Sequence, residues 1–137
     1  AGDKQVVVSL DFAKKGLGIC YDIRYPLHYK SLVKSGAEIV VLPTAWLVPD
    51  EIFNDRTALK NAQEMWVAMN RTRAFDNLVY VVSCNQWAGG CIGKSMIVAP
   101  TTEIISDAGD NQGGFFADID LNIVQLYKNI YPIADID

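Results

Sequence analysis

Long apolar runs are missing from this 137-residue chain, and no stretch approaches the roughly 18 consecutive apolar residues of a membrane-spanning helix. The first residues also lack the charged-then-apolar pattern of a secretory leader. Histidine occurs once, at His28, and cysteine three times, at Cys20, Cys84 and Cys91. Three scattered thiols make no disulfide framework, and without CxxC pairs they make no zinc site. Reduced thiols in a cytoplasmic protein are therefore expected. Positive charge is in short supply too, since 12 Lys and Arg against 16 Asp and Glu leave a net charge of −4. That balance argues against nucleic acid or an anionic membrane as the main partner. Neither an internal repeat nor a low-complexity tract occurs. No methionine precedes Ala1-Gly2-Asp3-Lys4, which raises the expectation of a fragment, a processed product or a trimmed chain.

What the chain does have is apolar bulk. Half its residues are hydrophobic and a fifth are charged, so one domain over residues 1–137 with a sizeable core is expected. Short β-branched runs predict strands over 5–10 and 16–21, with Lys14-Lys15-Gly16 as the turn between them. Pro26 suits the first turn of a helix over 26–35 that Gly36 stops, with Tyr29, Leu32 and Val33 on one face. Residues 38–43 read as a strand, followed by a polar loop holding Pro49, Asp50, Glu51, Asn54 and Asp55. A long helix is expected over 57–75, with Ala62, Met65, Trp66 and Met69 on one face and Gln63, Asn70 and Arg71 opposite. Further strands are expected over 79–84, 95–99, 103–106 and 115–119, and a last short helix from Asp120 or Asn122.

The resulting order, β-β-α-β-α-β-β-β, is that of a layered α/β protein. Residues 39–42 and 79–82 are apolar at consecutive positions, so they predict adjacent inner strands buried on both sheet faces. Two helices suffice for one face. Nothing obvious in the chain covers the other, so a second layer is expected from a second copy or a separate partner, and no stable monomer is expected.

Cys20 lies in Gly16-Leu17-Gly18-Ile19-Cys20-Tyr21-Asp22-Ile23-Arg24-Tyr25-Pro26, at the end of an expected strand and just before a helix. A thiol there is held at the top of a sheet near backbone N–H groups, which favour a thiolate and stabilise an oxyanion. The plainer alternative is a small core residue in an apolar strand. Cys84, in mid-strand, reads as core, and Cys91, beside Gly89-Gly90, as a turn residue open to solvent. His28 reads as a surface or interface residue rather than as the base of a Cys–His pair.

The stretch Gly18-Ile19-Cys20-Tyr21-Asp22-x-Arg24-Tyr25-Pro26 resembles the nucleophile motif of the nitrilase superfamily. The resemblance continues in order through Gly36-Ala37, Pro43-Thr44-Ala45-Trp46, Trp66, Arg73-Ala74-x-Asp76-Asn77 and Gly93-x-Ser95-x-Ile97-Val98-x-Pro100. It implies the C-terminal half of a carbon–nitrogen hydrolase. The implied fold is half of an α-β-β-α sandwich, a mixed sheet with helices on one face. The implied chemistry is attack by the Cys20 thiolate on an amide, nitrile or carbamoyl carbon, a thioester acyl-enzyme, and its hydrolysis. The backbone N–H of Tyr21 would donate to the oxyanion. Asp22 and Arg24 would hold the strand–helix turn, and Thr44, Ala45 and Trp46 would form the pocket wall, with no metal or organic cofactor.

The same resemblance implies a glutamate base and a lysine from sequence before the nucleophile strand. The nineteen residues before Cys20 hold no glutamate, and Lys4, Lys14 and Lys15 stand in the wrong context. The chain by itself is accordingly expected to be inactive, completed by a second copy or a separate N-terminal half. A non-catalytic half-domain that associates with itself or a partner is the alternative, and redox or scavenging chemistry at Cys20 a third.

Overall fold

The computed structural model describes residues 4–109 and 112–132. A six-stranded sheet runs in the order β1 (Val7–Ser9), β2 (Lys14–Leu17), β3 (Ile39–Thr44), β4 (Tyr80–Asn85), β7 (Met96–Val98), β8 (Ile104–Asp107). β3 pairs in parallel with β2 and β4, whereas β1–β2, β4–β7 and β7–β8 are antiparallel, so the sheet is mixed. The two apolar runs are adjacent inner strands, as expected, with Val40 opposite Val81 and Val41 opposite Val82. Between strands come a 3-10 turn (Cys20–Arg24), α1 (Pro26–Lys34), α2 (Asp50–Phe53), α3 (Arg56–Asn77), a small hairpin of β5 (Trp87–Ala88) and β6 (Cys91–Ile92), and lastly α4 (Leu121–Ile130). No helix among the described residues is long and apolar enough to cross a membrane.

Side-chain alternation splits the sheet into two faces. Val40, Leu42, Val81, Met96 and Val98 cluster with Tyr29 and Leu32 of α1 and Trp66 and Ala74 of α3. Ile39, Tyr80 and Ile97 turn the other way and cluster with Val124 of α4, flanked by Phe115, Ala117 and Ile119. α1 and α3 thus cover one face. The expectation that the chain offers nothing for the opposite face is corrected: residues 115–121 and α4 lie across part of it. The remainder is open at the β1–β2 side. Leu17 stands opposite Val41, and Val8 opposite Lys15 on the same side, yet Val6, Val8 and Leu17 are 44%, 38% and 36% exposed.

Several local expectations change for physical reasons. The two lysines belong to β2 rather than to a turn, because Glu38 satisfies the backbone there: Lys14 N–H donates to Glu38 Oε2 (3.1 Å), and Glu38 N–H to Lys14 O (2.8 Å). The polar loop after Trp46 holds a four-residue helix, α2. Asp55 caps α3 by accepting from Thr57 and Ala58 N–H (2.9 and 2.8 Å), as an aspartate at an N-cap does. Of the expected inward face of α3, Trp66 is buried and Ala62 and Met69 pack against the core, but Met65 is 41% exposed; Asn70 and Ala74 complete the buried stripe. Asn70 is buried because its amide bonds to Ser83 and to Trp66 O. Residues 115–119, expected as a strand, join none. Cys84 is exposed on the open face, and Cys91 is buried, the reverse of the expected assignment.

Tyr29 is fully buried, and its hydroxyl has no hydrogen-bond partner among the described residues. Burial pushes its phenol far up; Arg73 opposes the shift and Asp22 adds to it. The folded state therefore holds this proton more tightly than the unfolded chain, whose phenol titrates near the ordinary 10.0. The contribution is fully present below that pH and is lost as pH rises above it. Tyr80, raised chiefly by burial, and Cys91, raised by burial and by Cys20, act in the same direction. Tyr29→Phe is expected to hold or raise stability at pH 7, by up to about 2 kcal/mol, because it removes an unpartnered buried hydroxyl. It should also flatten the decline above pH 10. Urea unfolding at pH 7 and pH 10.5 measures both, and a loss above about 1 kcal/mol at pH 7 would contradict the assignment.

Candidate active site

Cys20 opens the 3-10 turn that follows β2, rather than ending the strand. Its φ of +48° is left-handed, a conformation costing a non-glycine residue about 1–2 kcal/mol. The surroundings hold it there. Gly18 N–H donates to Val41 O at 3.0 Å, and a Cβ on Gly18 would meet Leu42 Cδ1 at 3.1 Å, so the chain leaves β2 pressed against β3. Asp22 Oδ2 accepts the Ile19 N–H (2.9 Å), and Asp22 N–H donates to Ile19 O (3.0 Å). From beneath, Arg73 Nε donates to Ile23 O (2.8 Å), with its guanidinium 5.8 Å from the Tyr29 ring. Strain at a reactive position persists only where neighbours over-determine it, and these bonds do so.

The half-buried Cys20 Sγ lies 3.9 Å from Ala45 O. Tyr21, the second residue of the turn, precedes its first internal bond, so its N–H belongs to the opening set without a helical acceptor. The Tyr21 ring stacks on Trp46 (6.1 Å, 10° between planes), and Arg24 Cζ sits 5.0 Å from the first ring and 5.5 Å from the second. Trp46 leans in turn on buried Trp66 (5.2 Å). The structure therefore gathers Cys20, Tyr21, Arg24, Ala45 and Trp46 at one end of the parallel strands, with Asp22 as the brace of the turn. Thr44 is set apart, its hydroxyl donating back to Leu42 O at 3.2 Å. His28 turns to the Leu17 carbonyl, 3.3 Å from Nε2. A carbonyl only accepts, so that nitrogen carries the proton. No group of three His, Cys, Asp or Glu among the described residues could hold a metal ion.

Asn85, which fixes the loop bearing Ala45 and Trp46, was not singled out from sequence, whereas Ser95 and Trp66 entered through an expected strand and helix and through the family resemblance. Asn85 Oδ1 accepts the Trp46 N–H (2.9 Å), its Nδ2 donates to Gly93 O, and its backbone exchanges two bonds with Ser95 Oγ (2.9 Å each). Trp66 Nε1 donates to Lys94 O (2.9 Å). The available signal was weak: Asn85 and Ser95 stand at the ends of apolar runs, and buried polar groups there exist to be bonded.

A mixed sheet layered by helices, with a cysteine turn at the end of its parallel strands, is an α/β architecture of the nitrilase type. The chain belongs to the carbon–nitrogen hydrolase family, whose model matches residues 1–129. It is 33% identical over 137 residues to the omega-amidase NIT2 of Xenopus tropicalis, covering 96% of this chain and 46% of that protein. It is 32% identical over 139 residues to the deaminated glutathione amidase of Synechocystis sp., covering 96% and 47%. The crystal structure of Saccharomyces cerevisiae Nit3, a member of branch 10 of the nitrilase superfamily, superposes with a TM-score of 0.82 at 25% identity, over 98% of this chain and 48% of that one. The chain thus spans about half the length of these relatives.

Proposed function

We propose that this chain is the nucleophile-bearing half of an amidase in which Cys20 attacks the carbonyl carbon of a small-molecule amide. The observation that carries the reading is the strained, braced turn holding Cys20 beside the Ala45–Trp46 wall. Attack forms a C–S bond and a tetrahedral oxyanion, and the Tyr21 N–H is the donor best placed by its rank in the turn. Collapse breaks the C–N bond and releases ammonia or an amine carrying a proton. Water then cleaves the thioester to the acid. The Arg24 guanidinium is exposed, lies over two aromatic rings and forms no ion pair among the described residues. It suits a carboxylate elsewhere on the substrate.

Proton transfer needs a base that these residues do not supply, since His28 faces Leu17 and no glutamate precedes Cys20. The base and the cation for the oxyanion therefore come from polypeptide outside these residues. A second reading, a non-catalytic self-associating half-domain, is favoured only by the open sheet face at Val6, Val8 and Leu17.

Ammonia release from terminal amides distinguishes the two. The chain purified by itself should match its Cys20→Ala variant. Co-expressed with the part of the Xenopus omega-amidase that has no counterpart here, it should gain turnover that Cys20→Ala lowers at least about a thousandfold. Turnover by the chain alone would place the base within it. An assembled pair without Cys20-dependent turnover would remove Cys20 as nucleophile.

A further inference from the structure

Pro26 opens α1 and interrupts the turn before it. A proline has no N–H and biases the residue ahead of it to extended backbone, and Tyr25 is extended, at φ −105° and ψ 94°. The series of bonds that builds the cysteine turn therefore ends there. Asp22 N–H donates to Ile19 O and Tyr25 N–H to Asp22 O, each at 3.0 Å. The next donor in the series would be residue 26, which has none. The carbonyl stranded by that break belongs to Ile23, a fully buried residue. A buried carbonyl left without a donor costs about 1–3 kcal/mol.

Its donor comes from another helix. Arg73 Nε donates to Ile23 O at 2.8 Å, across 50 positions of sequence. The end of α3 sets the arginine for this: Asn77 Nδ2 donates to Arg73 O (2.9 Å), and Val79 N–H to Ala74 O (3.1 Å). The side chain is 11% exposed, with its guanidinium 5.8 Å from the buried Tyr29 ring and Nη1 3.9 Å from Asp76 Oδ2. These two neighbours orient the rigid fork, so its Nε–H is aimed at Ile23 before any substrate arrives. Cys20 and Ile23 stand one 3-10 turn apart. A rotation of the Ile23 peptide therefore turns the Cys20–Tyr21 peptide with it.

We propose that Arg73 is a positioning residue for the proposed amide hydrolysis. Through the Ile23 carbonyl it fixes the orientation of the Cys20 thiol and of the Tyr21 N–H that attack and oxyanion binding require. The role in turnover rests on the reading of Cys20 as nucleophile; the pinning of the turn does not. Misplacing reacting groups by about 1 Å costs about a hundredfold in rate, so a contact remote from the substrate is enough to matter.

Glutamine and methionine separate this hydrogen bond from packing and charge. Counted along the side chain, glutamine Nε2 falls where arginine has Nε, and methionine puts a methyl group there with no N–H to give. Both variants lose the charge and the Asp76 contact. In the chain alone, Arg73→Gln should keep the backbone NMR shifts of residues 20–24 near their wild-type values, whereas Arg73→Met should move them. Arg71→Met, exposed and two positions away, should leave them in place. Kinetics are read in the pair formed by co-expression with the part of the Xenopus omega-amidase that has no counterpart here, with kcat referred to the folded fraction seen by circular dichroism. Arg73→Met should lower kcat for a terminal amide by about ten- to a hundredfold, with KM within about twofold of wild type. Arg73→Gln should keep kcat within about threefold. Equal losses in the two variants would make Arg73 a matter of charge or packing and overturn the proposal. So would shifts that Arg73→Met leaves in place, or a loss confined to KM. Wild-type turnover that Arg73→Met preserves would overturn this role alone, whereas a wild-type pair without Cys20-dependent turnover would overturn the amidase reading and this role with it.

Discussion

Trp66→Ala is expected to lower the unfolding free energy by about 3–5 kcal/mol, the range for truncating a buried aromatic. The indole is fully buried where α3 crosses the sheet, and it is among the largest side chains in the core. Truncation removes its transfer free energy and leaves a cavity that a helix pinned by the Asp55 cap and the Leu78 cap closes only partly. It also takes the indole donor from Lys94 O and the support from Trp46. For a chain of this length, a loss of 3–5 kcal/mol corresponds to a fall in Tm of about 10–20 °C. Trp66→Phe keeps the ring and loses the donor, so it should cost about half as much. Thermal and urea unfolding followed by circular dichroism read both variants. A loss below about 1 kcal/mol for the alanine variant would mean that the core does not close on this residue.

Asn85→Leu is expected to cost about 2–5 kcal/mol, although volume and shape are nearly kept. The leucine leaves the Trp46 N–H without its acceptor and the Gly93 carbonyl without its donor, at a position only 7% exposed. Each buried group stripped of its partner costs about 1–3 kcal/mol. Ser95→Ala removes the hydroxyl that accepts the Asn85 N–H and donates to the Asn85 carbonyl, so it too strips two buried groups and should cost a comparable amount, about 2–5 kcal/mol. The loop released in Asn85→Leu is the one whose Ala45 carbonyl faces the Cys20 thiol. Alkylation of Cys20 by iodoacetamide, mapped by mass spectrometry, should therefore change severalfold relative to Cys84, which lies on the other sheet face. Unchanged stability together with an unchanged Cys20 rate would rule out Asn85 as the clamp of the pocket wall.

The parts legible in the sequence are those decided by neighbours a few residues away. Residues 26–34 and 39–44 declare themselves through a proline at a helix start and an unbroken apolar run, and both fall within a residue or two of expectation. Cys20 was singled out through its flanking motif, and the structure places it in a braced turn beside Ala45. What the sequence did not disclose is decided across space. Asn70 looks like a solvent-facing helix residue until Ser83 is placed beneath it. Cys84 and Cys91 exchange roles because exposure on a strand depends on what lies over the sheet, and β4 is open at Cys84, whereas Cys91 pairs with Leu47. Lys14 and Lys15 read as a turn because charge is a weak local signal, and Glu38 settles the matter from another strand. The strand expected over 115–119 does not form: those residues alternate in burial as a strand would, but a ladder needs a second chain segment, which the described residues do not provide.

The parallel pairing of β3 with β4 sets the order in which this chain can fold. Parallel neighbours cannot be joined by a tight turn, and here all of α2 and α3 lies between them. That crossover must close before Val40 meets Val81, and non-local closure of this kind slows folding, because chain entropy is lost before contacts compensate. The turn bearing Cys20 depends on both sides of the closure: Val41 and Ala45 belong to β3 and its exit, and Arg73 to the last turns of α3. Its left-handed cysteine therefore acquires its braces only once the centre of the sheet has formed, so the geometry of the proposed nucleophile matures with the slowest step of assembly.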